Sequence, residues 1–389
     1  MNAPARPASE HRPDLDWLRV IAIALLHFFH TGMMFNRWDW HVKSPVPLPA
    51  LEPLMELLHL VRMPLLMVIS GVGTALALRH RSLGSFAKDR AKRLLWPLVF
   101  GMFVIVPPQI YAERLQRGQF AGSYLDFYPS VFEFVTYPRG SLSWHHLWFV
   151  AYLFVYCVLA LPLFAWMETR GGQAFLARAN AWLSRGFNVA LLCLPMVLNQ
   201  IALNGSPETH ALVDDPRTLL HYAMLFLFGH LFGRCPGVWE RLVALRHVLL
   251  GIGVAVLVPM LPDGAFPLVA ERLGQGIILW TLLLSALGYA RARLLTRPAW
   301  LARAQELSYP FYILHQTVIV VLGLAMLRLP LGPWALFASV LAASFLVTWA
   351  LCEGAARVDW LRPCFGMKPR APRRQASPIS STPASGHTA

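Results

Sequence analysis

Long apolar runs alternate with short polar connections along almost the whole chain. A helix needs about 20 apolar residues to cross a bilayer. On that measure the runs near residues 17–36, 54–78, 94–111, 146–167, 187–204, 217–233, 247–262, 272–290, 307–327 and 333–353 predict ten transmembrane helices. The pattern is all-α and polytopic. Residues 1–16 are polar and contain proline, so they read as a short segment ahead of the membrane domain. The first apolar run is too long for a signal-peptide core and lacks a small-residue cleavage site, so it is expected to be retained. A single transmembrane domain is predicted over 17–365. Residues 366–389 are expected to be a disordered tail, basic at its start and then rich in Pro, Ser and Ala.

The cations orient this array. Taking the N-terminus as cytoplasmic, 24 of the 34 lysines and arginines fall on the inner side, in the even-numbered connections and the two ends. Nine lie in or near the outer half, and Arg19 sits at the inner boundary. Such a bias predicts an even number of spans with both termini in the cytoplasm. Composition agrees: 56% of residues are hydrophobic, 14% are charged and the mean hydropathy is +0.49, which excludes a water-soluble domain. A net charge of +14 would suit nucleic acid, but the basic residues are spread over several short loops, so the partner they imply is the lipid bilayer and no nucleic acid. The five cysteines are scattered and odd in number, implying no disulfide framework or zinc motif. No bound cofactor and no metal is expected.

Several ionisable residues fall inside the apolar runs, where they are costly and mark function by default. In DWLRVIAIALLHFFH, the eleven steps from Arg19 to His30 turn through three revolutions plus about 20°, placing both on one helix face about 16 Å apart. His27 lies one turn before His30 and shares part of that face. Taken alone Arg19 reads as a topology anchor that snorkels to the surface, whereas His30 lies too deep to do so. The second helix carries Glu56, His59 and Arg62 at i, i+3 spacing, with Arg62 about 12 Å below the outer surface. Pairing with Glu56 and binding of an anionic substrate explain Arg62 equally well. Ser70 and Gly71 suit close helix packing. Arg90 and Arg93 open the third helix at the cytoplasmic side, as topology signals or as a phosphate clamp. His146 begins the fourth helix and His315 lies within the ninth; each also reads as a core histidine. A haem or metal held by His27, His30, His59, His146 and His315 is disfavoured by their uneven depths. The outer connections are rich in aromatic rings, which suit an interfacial belt better than sugar stacking.

Five stretches in order, the Arg-x10-His of the first helix, MVISG in the second, RAKR before the third, HLWFV in the fourth and SYPFYILH in the ninth, resemble membrane-bound acyltransferase family 3 from Asp16 to about Phe365. The resemblance implies an O-acyltransferase in a bacterial inner membrane, moving an acyl group from a cytoplasmic donor such as acyl-CoA to a hydroxyl of an extracytoplasmic glycan. It implies His30 as the catalytic base, Arg19 as its motif partner, and Arg90 with Arg93 beside the donor. His59, Arg62, His146, His315 and Glu56 are then candidates for holding the acceptor or the acyl group, and a succinyl carboxylate would suit Arg62. The extra His27 leaves the base open between two imidazoles. Two alternatives stand beside this reading: an exporter of a glycolipid or small anion that transfers no acyl group, and an acyltransferase with another acceptor, such as O-antigen, exopolysaccharide or a small molecule.

Overall fold

The computed structural model describes residues 11–260 and 266–370. Most of the tail expected to be disordered (371–389), residues 1–10 and the end of the run predicted over 247–262 lie outside the described residues. Helices dominate the rest: α1 Pro13–Met33, α2 Glu52–Leu78, α3 Leu83–Gln116, α4 His145–Leu159, α5 Leu161–Met167, α6 Arg170–Leu183, α7 Asn188–Ala202, α8 Pro216–Arg234, α9 Pro236–Met260, α10 Leu268–Arg293, α11 Ala299–Met326 and α12 Pro333–Arg357.

Six of these are long and apolar enough to cross a membrane, or eight if α4 with α5 and α6 with α7 are each one bent span. Composition alone therefore does not reach the predicted ten. α1 and α8 fall short because Arg19, His27 and His30 in one, and Arg217, His221 and His230 in the other, dilute their apolar character. All four histidines are buried, so these helices are polar on the inside.

Three departures from the predicted runs have local causes. The run over 146–167 bends by 47° between α4 and α5, where Pro162 stands in the first turn of α5 and cannot donate back to the preceding turn. The run over 187–204 is preceded by a helix where a connection was expected. α6, capped by the Thr169 hydroxyl on the Gly172 amide (3.2 Å), meets α7 at 115°. α6 buries only Gly172, Leu176 and Leu183, so its sequence is too polar to read as a span. α3 is longer than the predicted 94–111 and contains two widened turns, Ala91–Leu95 and Gly101–Ile105, each followed within two residues by a proline, Pro97 and Pro107. Prolines withhold amides from the ladder, and widened turns accommodate the loss.

α1 is central, packing on α2, α10, α11 and α12. Beside it α2 and α8 touch backbone to backbone: a Cβ at Gly71 would stand 2.1 Å from the Phe226 carbonyl oxygen, and one at Gly229 2.1 Å from that of Val68. Gly71 thus serves the close packing its sequence context suggested. The outer connections are folded caps. Val42, Leu48 and Leu51 are buried with Phe29, Phe35 and Met55 over the outer end of α1. Lys43 Nζ donates to the Met33, Asn36 and Trp38 carbonyls at 2.6–2.8 Å; burial pulls this ammonium down to about 8. In the longest connection Phe127 is fully buried among Tyr111, Phe120, Tyr124 and Tyr128, forming a small core, while Phe132 and Phe134 of the same connection stay exposed.

Candidate functional site

Two rows of side chains run in parallel from the Arg19 end of the bundle toward its His30 end. On α1 the row is Arg19 to His30, about 16 Å. On α11 it is Tyr309, Tyr312 and His315, three residues apart, with Tyr309 and Tyr312 stacked at 6.4 Å and Tyr312 6.0 Å from His315. The rows meet where His30 Nδ1 lies 2.7 Å from His315 Nε2. His315 Nδ1 in turn lies 2.7 Å from the Tyr312 carbonyl oxygen.

These partners set the tautomers. A carbonyl only accepts, so His315 Nδ1 carries its proton and, in the neutral ring, its Nε2 offers a lone pair. His30 Nδ1–H donates to that lone pair, which leaves His30 Nε2 unprotonated and without a hydrogen bond among the described residues. An imidazole so held can accept a proton at Nε2, and the resulting cation remains hydrogen-bonded through Nδ1. This is the arrangement by which a catalytic histidine is oriented by a second group.

His146 closes the other side of the pair. Its ring stands edge-on to His315 at 5.4 Å, and its Nε2–H donates to the Ile313 carbonyl (3.0 Å). Gln109 Nε2 is 3.5 Å from His146 Nδ1 and donates to Thr317 Oγ1 (2.7 Å); its Oε1 accepts from Gln316 (3.0 Å). The Tyr312 hydroxyl donates to the His146 carbonyl. Gln109, Gln316 and Thr317 were not singled out from the sequence. Two glutamines inside apolar runs were the available signal, since a buried amide needs partners.

His27 points elsewhere. Its Nε2 is 3.2 Å from the Leu341 carbonyl and 3.1 Å from Ser344 Oγ, both on α12, and its Nδ1 is buried with no partner among the described residues. Each imidazole thus keeps one ring nitrogen without a partner among the described residues, and the two differ in what holds them: His315 for His30, the Leu341 carbonyl and Ser344 for His27. The uneven depths expected of the histidines do not keep them apart, because His27, His30 and His146 all lie within 6.3 Å of His315, ring to ring.

Arg62 lies over the Phe29 ring, 3.4 Å from its centroid, and that ring is 5.6 Å from His30. The arginine is 7% exposed, and its Nε and Nη1 have no hydrogen-bond partner among the described residues. A buried cation with vacant donors is costly and suits an anionic group brought by a ligand. His59 stacks on Phe29 (5.9 Å) and, with Glu56, lines a cavity of ≈ 660 Å³ between α2, α7, α8 and α10. Trp38, Glu208, Arg217 and Tyr222 line the same cavity. His30 does not line it; Phe29, Trp38 and His59 stand between. Above it His210 lies 3.5 Å from Glu208, and burial holds this imidazole below its ordinary range against the pull of Glu208 and Asp215.

At the other end of the α1 row Arg19 lies 3.6 Å from Asp16 and close enough to Arg90 for the two charges to repel. Arg90 stacks over Phe86 (4.9 Å) with its Nε buried and unpartnered, and the buried Tyr309 hydroxyl also lacks a partner. Arg93 is paired with Asp89 (2.9 Å). The vacant Nε here belongs to Arg90, with Arg19 and Arg93 both near enough for their charges to repel it.

Comparison with known proteins adds to this geometry. A family model described as an acyltransferase domain matches residues 12–353. Glucans biosynthesis protein C of Salmonella paratyphi B (strain ATCC BAA-1250 / SPB7) is 24% identical over 157 residues, 40% of this chain and 38% of that protein, and the homologue of Salmonella heidelberg (strain SL476) aligns equally well. The similarity thus spans well under half the length of these relatives. No solved structure matches the chain.

Proposed function

The chain belongs to the acyltransferase family whose model it matches over residues 12–353, and from that premise we propose that it carries an acyl group from cytoplasmic acyl-CoA to a hydroxyl of an extracytoplasmic glycan. The single observation that supports this most is the His30–His315–Tyr312 relay, which leaves His30 Nε2 free to take a proton between two ends of the molecule bearing different polar groups. Counting α1, α8 and both bent pairs as spans gives ten, and the distribution of lysine and arginine supports a reading with both termini in the cytoplasm of a bacterial inner membrane.

The donor's phosphates meet Arg90 and Arg19 at the inner mouth, with Arg93 at the rim. An extended pantetheine arm is comparable in length with the distance to His30, and its path in this reading is the seam where α1 packs on α11. The acceptor enters from the ≈ 660 Å³ cavity, whose Trp38, Glu56, His59 and Tyr222 offer rings and polar groups of the kind that hold a sugar, and its hydroxyl reaches His30 when the Phe29, Trp38 and His59 side chains between them swing aside. The glycan hydroxyl oxygen attacks the thioester carbonyl carbon while its proton passes to His30 Nε2. The C–S bond then breaks, the ester C–O bond remains, and the proton passes from His30 to the leaving thiolate. His315 orients His30 throughout, and His146 with Gln109 fixes His315. Arg62 faces the negative charge, either the developing oxyanion or the free carboxylate of a succinyl group. The names of the Salmonella relatives support a glucan as acceptor.

Purified protein given succinyl-CoA and a glucan should release CoA only when both are present, and mass spectrometry of the glucan should find the ester. Movement of a glycolipid or anion with no CoA released and no ester formed would point to the exporter reading instead, and CoA release that ignores the acceptor would point to hydrolysis of the thioester.

A further inference from the structure

At the outer face three side chains from three separate segments converge. His41 comes from the connection after α1, Glu113 from the last turn of α3, and His145 from the start of α4. One ligating atom from each lies within 4.8 Å of the other two. His41 Nδ1 is 2.6 Å from Glu113 Oε2, and the two imidazole rings stack at 4.6 Å. An ion pair would account for His41 and Glu113, but it leaves His145 unexplained. His145 Nδ1 bonds Ser143 Oγ (2.7 Å), and its Nε2 is buried with no partner among the described residues. His145 also holds a φ of 39°, in the left-handed region, a conformation that persists only where surroundings enforce it.

We propose that His41, Glu113 and His145 bind a divalent transition-metal ion, zinc by the character of the donors, and that this ion positions the rings flanking the His30–His315 pair. Two imidazoles and one carboxylate are a zinc donor set with a fourth position open to water, whereas calcium and magnesium call for oxygen ligands. With zinc about 2.0–2.1 Å from each donor, tetrahedral ligands stand about 3.3 Å apart. The largest separation here must therefore contract by about 1.5 Å, within reach of side-chain rotation. Outer partners are already in place: Glu113 Oε1 accepts from the Tyr137 hydroxyl (2.9 Å) and lies 3.4 Å from Arg117, and Ser143 holds His145. Such contacts orient ligands for a metal.

Each histidine ligand is the chain neighbour of a residue that touches the candidate catalytic pair. Trp40, next to His41, stacks over His30 at 6.3 Å and 27°. His146, next to His145, stands edge-on to His315. One ion bound to His41 and His145 thus fixes both flanks of the pair. The binding site itself is independent of the acyl-transfer reading; the positioning role rests on it.

The test uses the full chain, purified, stripped with EDTA and then given Zn²⁺ or Co²⁺. The wild type should hold about one zinc per chain, give the visible absorption of tetrahedral Co²⁺, and unfold at a higher temperature with zinc than without. His41→Ala and His145→Ala should each retain under a tenth of that zinc. Glu113→Gln keeps the shape of the side chain, so the fold should persist while zinc affinity falls at least tenfold. Stripping should lower kcat for acyl transfer with little change in acceptor KM, and zinc should restore it. A wild type that binds less than a tenth of an equivalent at saturating zinc overturns the site, as does unchanged affinity in Glu113→Gln. Full zinc binding with no effect on kcat overturns the positioning role alone.

Discussion

His27 and His30 sit one turn apart on α1, yet their surroundings separate them. His27 is tied through Nε2 to α12, while His30 keeps Nε2 free and is oriented by His315. His30→Ala should therefore cut acyl transfer about 10²–10⁴-fold, the usual worth of a general base. His27→Ala should stay within about tenfold of wild type and lower the unfolding temperature, since it removes one buried hydrogen bond. Equal losses in both variants, read from initial rates, would leave the relay without support. Arg62 makes a different case, because a buried guanidinium with vacant donors is a burden to the free protein. Arg62→Met keeps the stem over Phe29 and removes the charge, so thermal stability should hold or rise by about 1–2 kcal/mol while transfer from succinyl-CoA falls. A variant that is less stable but fully active would reject the anion-binding role.

At the scale of helices the account depends on close approach. Gly71→Ala on α2 drives a Cβ to 2.1 Å from the Phe226 carbonyl and should destabilise the α2–α8 contact by about 1–3 kcal/mol. Gly73→Ala, where a Cβ meets nothing within 4 Å, should be neutral or stabilise by about 0.5–1 kcal/mol through helix propensity. Unfolding temperatures of the pair in one detergent check this, and equal shifts would contradict it. Helix positions were readable because a bilayer demands an apolar run of set length, and the centres of all ten predicted runs are helical. The bend after α4, the additional helix α6 and the widened turns of α3 were not readable, since hydropathy reports neither direction nor backbone register. The same limit applies to the site. Arg19 and His30 share a face by simple period, so their alignment was visible in the chain. That His315 is the partner of His30 was not, because the two are 285 residues apart and only packing of α1 on α11 joins them. His41, Glu113 and His145 were hidden for the same reason.

Taken whole, the molecule places cationic groups at one end of the α1–α11 seam, hydrogen-bonded imidazoles along it, and a cavity of mixed polar and apolar lining, with Trp38 and Tyr222 in its wall, near the other end. That division has a use only if the two substrates come from opposite compartments. The direct measurement is transfer in proteoliposomes containing protein of one orientation, with acyl-CoA confined to the face bearing Arg90 and glucan confined to the opposite face. The account predicts acylated glucan in this arrangement, none when the two substrates exchange sides, and none with His30→Ala. Product that forms only when both substrates share one compartment would contradict it.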